Sequence, residues 1–298
     1  MVTGTLAFDS IKTPFGQKRR ILGGSAAHFS LSSSYFCRTG IVGIVGGDFP
    51  KKFHDYLKKW PIDLRGVVVD RREKTFAWGG VYGKKGEDPK SLFTDLNCLL
   101  KFDPRLPGLY KYPPYVFLAN IDPEIQWRFL KGLPARTVVG ADTMNFWINT
   151  KKKSLMKLIS RVNYFFLNES ELLLLTGAST IDKGFASLRS RLAGWVVCKR
   201  GKKGCVLYSK KDRIDLPAYV VRNVLDPTGA GDSFAGAFMG YLAQAANKKQ
   251  LNPVEEAAVS GNIAGSFAVQ GFGASWRKRM TRAAYRKRRE VYLDSLRN

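Results

Sequence analysis

The sequence predicts an α/β fold: a mostly parallel central sheet flanked by helices, with a small β-sheet lid. Short apolar runs bounded by Gly, Asp and Asn alternate with segments of helical period, the pattern of crossover units on a sheet covered on both faces. The chain has 298 residues, 45% of them hydrophobic, enough to bury a sizeable core. Two stretches, about 13–20 and 67–99, break the alternation with β-formers, turns and charge, and read as inserted strands.

In chain order, apolar runs predict strands at Val2–Ala7, Arg38–Val45, Tyr115–Leu118, Thr137–Ala141, Tyr164–Leu167, Trp195–Lys199 and Gly204–Tyr208. Helical period predicts helices at Ala26–Tyr35, Lys51–Lys59, Pro123–Leu130, Thr150–Ser160, Glu169–Thr176, Asp182–Leu192, Gly229–Ala245 and Val254–Val269. Inside the second irregular stretch, Thr75-Phe76-Ala77-Trp78 and Gly79-Gly80-Val81-Tyr82 read as lid strands, with Trp78 and Tyr82 placed either to stack on a ligand or to pack the lid. No repeat or long linker interrupts the chain, so 1–298 reads as one domain ending in a basic helical tail over 276–298.

Composition removes whole classes of function. No apolar run approaches the roughly 18 to 20 residues needed to span a bilayer, and no signal peptide is evident, so a cytoplasmic location is expected. Cys37, Cys98, Cys198 and Cys205 form no Cys-x-x-Cys pair, and only His28 and His54 are present, which argues against disulfide frameworks and zinc sites. The formal charge is +25, from 49 Lys and Arg against 24 Asp and Glu. Arg277 to Arg289 holds eight basic side chains and no acid, with Arg279, Arg282, Arg286 and Arg289 at helical spacing. Most of the excess is nonetheless dispersed, a poor footprint for a nucleic-acid groove, and nucleic acid is not the expected partner.

The most informative segment is Asp226-Pro227-Thr228-Gly229-Ala230-Gly231-Asp232-Ser233-Phe234-Ala235-Gly236. A turn of small residues opens into a helix on which Phe234, Phe238, Tyr241 and Leu242 recur at helical spacing. Unpaired N–H groups at a helix start, beside Gly229 and Gly231, make an oxyanion site, and the helix dipole adds to it. Asp232 sets a carboxylate next to that site. Phosphoryl transfer to an alcohol gives such an acid a role as base, with a late proton transfer. An ordinary Asp near a helix start fits the same four letters Gly-Ala-Gly-Asp.

The full eleven residues resemble the C-terminal signature of the PfkB/ribokinase family of carbohydrate and nucleoside kinases, and the similarity extends along nearly the whole chain. The resemblance implies a ribokinase-like fold and an ATP-dependent kinase acting on a primary hydroxyl of a sugar or sugar-like substrate. Asp232 would be the catalytic base, and Gly229, Ala230 and Gly231 would form the anion cradle. Gly4-Thr5-Leu6-Ala7-Phe8-Asp9 resembles the family's first strand, which implies that Asp9 binds substrate hydroxyls. Gly23-Gly24-Ser25-Ala26-Ala27-His28 resembles its Gly-Gly motif, which places Gly23, Gly24 and His28 at the substrate, and Asn120 falls at a further substrate position. Ribose-specific relatives carry other residues where this chain has Ala7, His28 and Asn120, so ribose itself is not the expected substrate.

Asn168-Glu169-Ser170-Glu171 resembles the family's Asn-x-x-Glu motif: Asn168 would bind nucleotide and Glu171 hydrated Mg²⁺, although a helix capping box fits the same letters. Lys199, Gly201 and Gly204 resemble the turn over the nucleotide, and Asn262 matches a position near adenine. ATP and Mg²⁺ are the implied cofactors. Relatives often need a monovalent cation, and Asp226 and Thr228 fall at matching positions, which leaves K⁺ open. A nucleoside kinase, or a nucleotide- or polyanion-binding protein on the same fold, stands as the alternative. Both monomer and homodimer are compatible with the sequence.

Overall fold

The computed structural model describes residues 1–83, 89–246 and 253–297. The part of the expected lid at 84–88 and the last residue of the expected tail lie outside the described residues. The chain forms two compact units, Val2–Phe102 with Tyr219–Asn298, and Met1 with Asp103–Ala218.

The first unit opens with β1 (Val2–Thr3), β2 (Ala7–Thr13), β3 (Gly16–Gly23) and α1 (Ser25–Ser33). Next come β4 (Thr39–Gly46), α2 (Lys51–Lys58), β5 (Ile62–Asp70), β6 (Ala77–Val81) and β7 (Lys90–Asp95). β4 lies between β1 and β5 and is parallel to both. Every residue of β4 is buried, as an uninterrupted Thr-Gly-Ile-Val-Gly-Ile-Val-Gly run requires of a strand covered on both faces. A separate four-stranded sheet has the order β3-β2-β6-β7. Its β2–β3 and β6–β7 pairs are antiparallel and its β2–β6 pair is parallel.

The second unit carries β8 (Tyr115–Leu118), α3 (Pro123–Lys131), β9 (Val138–Asp142), α4 (Asn145–Ile159) and β10 (Tyr164–Asn168). It continues with α5 (Glu169–Thr176), α6 (Ile181–Leu188), β11 (Trp195–Lys199), β12 (Cys205–Tyr208) and β13 (Arg213–Leu216). β8 to β11 run parallel, and β12 and β13 extend the sheet as an antiparallel meander. The parallel strands β9, β10 and β11 end in Asp142, Asn168 and Lys199, which puts polar side chains on the carboxyl edge where open α/β sheets bind ligands.

The chain then returns to the first unit through α7 (Ala230–Ala245), α8 (Pro253–Ala268) and α9 (Arg282–Arg297). α7 and α1 are rich in Gly, Ala and Ser, so their backbones approach closely. A Cβ on Gly236 would run into the Phe29 carbonyl, and one on Gly240 would sit 3.0 Å from the Cα of Ser33. The fold class read from the sequence, a mostly parallel sheet flanked by helices with a smaller separate sheet, is the one observed.

Several boundaries differ from the sequence reading, each for a local reason. The strand expected over Val2–Ala7 breaks after Thr3, because Thr5 turns its polar groups to the start of α1. Its carbonyl accepts from Ala26 N (3.0 Å) and its hydroxyl from Ser25 N (2.9 Å). Val67 to Asp70, expected in the lid, continue β5 in register with β4, and one strand, Ala77–Val81, replaces the two expected around Gly79. α4 starts five residues before the expected Thr150 and carries a non-helical Lys151, whose ammonium bonds Asp122 and Glu124 at 2.8 Å. The charged strand β13 was not legible from apolar periodicity. In the basic tail, Gly273–Arg279 is a 3₁₀ turn and the helix begins only at Arg282.

Alanine normally stabilises a helix interior relative to glycine by roughly 1 kcal/mol. At Gly236 the sign should reverse. Gly236→Ala should cost about 2 kcal/mol through overpacking against α1, read as a lowered midpoint in chemical denaturation.

Candidate active site

In the first unit the site is built around the turn before α7. Asp226 is fully buried, and its two carboxylate oxygens accept from Thr228 N (2.9 Å) and Gly273 N (3.0 Å). Burial raises its pKa against those two bonds. Gly229 follows as N-cap with φ 72°, a left-handed conformation that favours glycine, and α7 starts at Ala230. Ala230 N bonds back to Pro227 O at 3.2 Å, whereas Gly231 N has no backbone acceptor among the described residues. A helix start of this kind presents donors and a positive dipole end to an anion. Asp232 lies in the same first turn. The second sheet reaches this turn through Tyr82, whose phenol oxygen accepts from the Thr228 hydroxyl at 3.0 Å.

Asp9, at 4% exposure, projects from β2 against Gly23. A side chain on Gly23 would occupy the space of the Asp9 carboxylate, so this glycine makes room for the acid. Gly24 (φ 94°) donates its N–H to it. Burial, then repulsion from Asp226 and Asp232, pushes the Asp9 pKa up to about 7, against the lowering effect of the Gly24 bond. Asp9, Asp226 and Asp232 therefore form one electrostatic group. His28 is 1% exposed, and burial pushes its pKa down to about 4, so its imidazole is neutral at physiological pH. Its ring lies over Gly229. Trp78 donates to Ser91 Oγ at 3.1 Å within the small sheet.

Asn262, on α8, donates to the phenol oxygen of Tyr292 at 2.8 Å, and α9 thereby covers it. Nothing local in the sequence pairs these two residues, which stand 30 positions apart.

In the second unit, Asn168 and Glu171 form a capping box at the start of α5. Asn168 Oδ1 accepts from Glu171 N (2.8 Å) and Glu171 Oε2 accepts from Asn168 N (2.7 Å). Lys199 ends β11 and donates to Asp142 Oδ2 at 2.9 Å, a largely buried ion pair. Asp142 carries no motif of its own in the sequence, and its place at a strand end is the signal that could have found it. Gly201 (φ 54°) has open space where a Cβ would stand, which leaves room for close approach. A Cβ on Gly204 (φ 95°) would collide with the Leu216 carbonyl, so that position admits only glycine. Asn120 Oδ1 accepts from Trp147 Nε1 at 3.0 Å. A cleft of about 310 Å³ is lined by Glu169, Thr180, Asp182, Arg200 and Arg213, and none of the expected nucleotide residues lines it. Its arginines already pair with Glu169 (3.3 Å) and Asp182 (3.0 Å).

Residues 140–278 match the model of the pfkB family carbohydrate kinases. A cytidine kinase from Thermococcus kodakarensis is 30% identical over 247 residues, covering 81% of this chain and 87% of that protein. Among solved structures, a Burkholderia thailandensis nucleoside kinase in complex with inosine matches with a TM-score of 0.80 and 17% identity, over 98% of this chain and 97% of that one. A fructokinase double mutant from Vibrio cholerae O395, solved with fructose, ADP and potassium ion, matches with a TM-score of 0.77 and 19% identity, over 96% and 97% of the two chains. Chain and relatives together define a phosphotransferase that acts on hydroxyl groups. The chain belongs to the pfkB family of carbohydrate kinases, as a sugar or nucleoside kinase that uses ATP and a divalent metal. No helix among the described residues is long and apolar enough to cross a membrane.

The raised Asp9 pKa fixes the sign of a stability effect. Between about pH 4 and pH 7 the folded protein holds a proton on Asp9 that the unfolded chain releases, so this group's contribution is lost as pH rises. Relative to wild type, Asp9→Asn should therefore gain thermal stability progressively from pH 4 to pH 7, read by the difference in Tm across that window. A constant difference would contradict the assignment.

Proposed function

We propose that this protein is a nucleoside kinase that transfers the γ-phosphoryl group of ATP to a primary hydroxyl of a pyrimidine nucleoside or a close analogue. The observation that carries the nucleoside reading is the 30% identity with a cytidine kinase over 81% of the chain. Asp232, one turn into a helix whose N-terminus favours anions, takes the proton of the acceptor hydroxyl. The Gly229 to Gly231 backbone receives the charge of the moving group. Asp9, with Gly23 and Gly24 behind it, fixes sugar hydroxyls, and Asn120 contributes a polar contact to the acceptor. Asn168, Lys199, Gly201, Gly204 and Asn262 serve the nucleotide.

Among the described residues no three acidic, His or Cys side chains gather as a metal cluster. A divalent ion would then take most ligands from phosphate and water, with Glu171 reached through water. That donor set suits Mg²⁺, which would neutralise phosphate charge. Asp226 is a buried carboxylate whose partners among the described residues are neutral: the amides of Thr228 and Gly273 and the Thr228 hydroxyl. Such a group fits K⁺ held by Asp226 and Thr228, because the cation supplies the positive charge that burial removes. A cytoplasmic enzyme binding small molecules, without a nucleic-acid partner, completes the reading.

The test is ADP release from ATP and Mg²⁺ across nucleosides, free sugars and sugar phosphates. Cytidine or another nucleoside should stimulate release, and Asp232→Asn should lower kcat by about 10²-fold or more while remaining folded. Stimulation by a free sugar alone would overturn the nucleoside reading.

A further inference from the structure

Three contacts from the 3₁₀ segment Gly273–Arg279 converge on the start of α7 and the underlying α1. Gly273 N donates to Asp226. Trp276, fully buried, donates its indole N–H to His28 Nδ1 across 3.5 Å. Arg277 donates to the Leu31 carbonyl at 2.7 Å and stacks 4.0 Å over Trp60. The Trp276–His28 contact links the 3₁₀ segment to α1 side chain to side chain. A Cβ built on Gly229 would overlap Nδ1, Cγ and Cε1 of His28 together, so the imidazole presents its face to the N-cap of α7. The indole donates to Nδ1, which leaves the proton of the neutral ring on Nε2. Nε2 is buried and has no hydrogen-bond partner among the described residues. The ring is thus held by one edge contact and by packing, directly beneath the residue whose left-handed turn opens the anion site.

We propose that His28 and Trp276 are positioning residues for phosphoryl transfer: the indole orients the imidazole, and the imidazole face braces Gly229 and so sets the first turn of α7. The proposal rests on the kinase reading and moves His28 from direct substrate contact to support of the cradle. A neutral ring suits that place, because a cation under the positive end of the helix would be repelled and would draw the transferring phosphoryl group away from the amides. Misplacement of a catalytic turn by a fraction of an ångström lowers turnover without weakening ground-state binding.

Trp276→Phe, His28→Asn and the double variant test it. Each single change should lower kcat about tenfold to a hundredfold, with KM for nucleoside and ATP within about twofold of wild type. The double variant should cost no more than the worse single one, since both act through one contact. A raised acceptor KM with unchanged kcat in His28→Asn would make His28 a substrate contact and overturn the brace, as would additive losses. A second readout holds whether or not the variants fold. The chain has two histidines, so ¹⁵N spectra of the wild-type imidazoles contain two residues' signals. His28 should be neutral with its proton on Nε2 at pH 7, and a proton on Nδ1 would overturn the proposal. If wild type phosphorylates no compound of the panel, the kinase reading fails, while the imidazole spectrum still decides the Trp276–His28 contact.

Discussion

The buried carboxylate of Asp226 holds the geometry on which the rest of the site depends. One oxygen fixes the amide of Thr228 and the other fixes that of Gly273, so a single side chain joins the turn before α7 to a segment 47 residues later. That junction lets Gly229 adopt its left-handed turn and lets α7 start with its donors exposed to an incoming anion. Burying a carboxylate is costly, and among the described residues no cation pairs with Asp226 to offset that cost. The raised pKa values of Asp9 and Asp226 express the same tension.

Close packing of small residues positions this apparatus. α7 is buried along most of its length, and every residue of α1 is buried, so neither helix tilts without a collision. His28 is the one ring of α1 directed to the N-cap of α7, and Gly229 leaves space for it. Gly23 leaves equivalent space for Asp9. In both places a glycine accommodates a neighbouring side chain, and backbone freedom is only part of its role.

The turn before α7 was legible because its candidate chemistry is contiguous: eleven residues contain the buried acid, the glycines, the candidate base and the first buried turn of the helix. The strand ends and most helices were legible for the same reason, since apolar period is local. Contacts between distant residues were not. Trp276 meets His28 across 248 positions, and Tyr292 meets Asn262 from a helix whose sequence reads only as basic. The capping letters of Asn168 and Glu171 fit a helix start and a ligand motif alike, and the geometry realises the helix start. The basic tail divides by side. Arg277 is buried, Arg288 stacks 3.6 Å over Phe267, and Arg289 pairs with Glu256 at 2.7 Å. Lys278, Arg279, Arg282, Arg286 and Lys287 are exposed, so the same run supplies both packing and surface charge.

In the proposed reaction the N-terminal amides of α7 receive the transferring group. Amide ¹H–¹⁵N shifts of Gly229 to Asp232, measured as ADP, aluminium fluoride and a nucleoside are added together, test it most directly. Large downfield shifts confined to that turn should appear only when all three components are present. Unmoved signals there, with the analogue bound elsewhere on the protein, would contradict it.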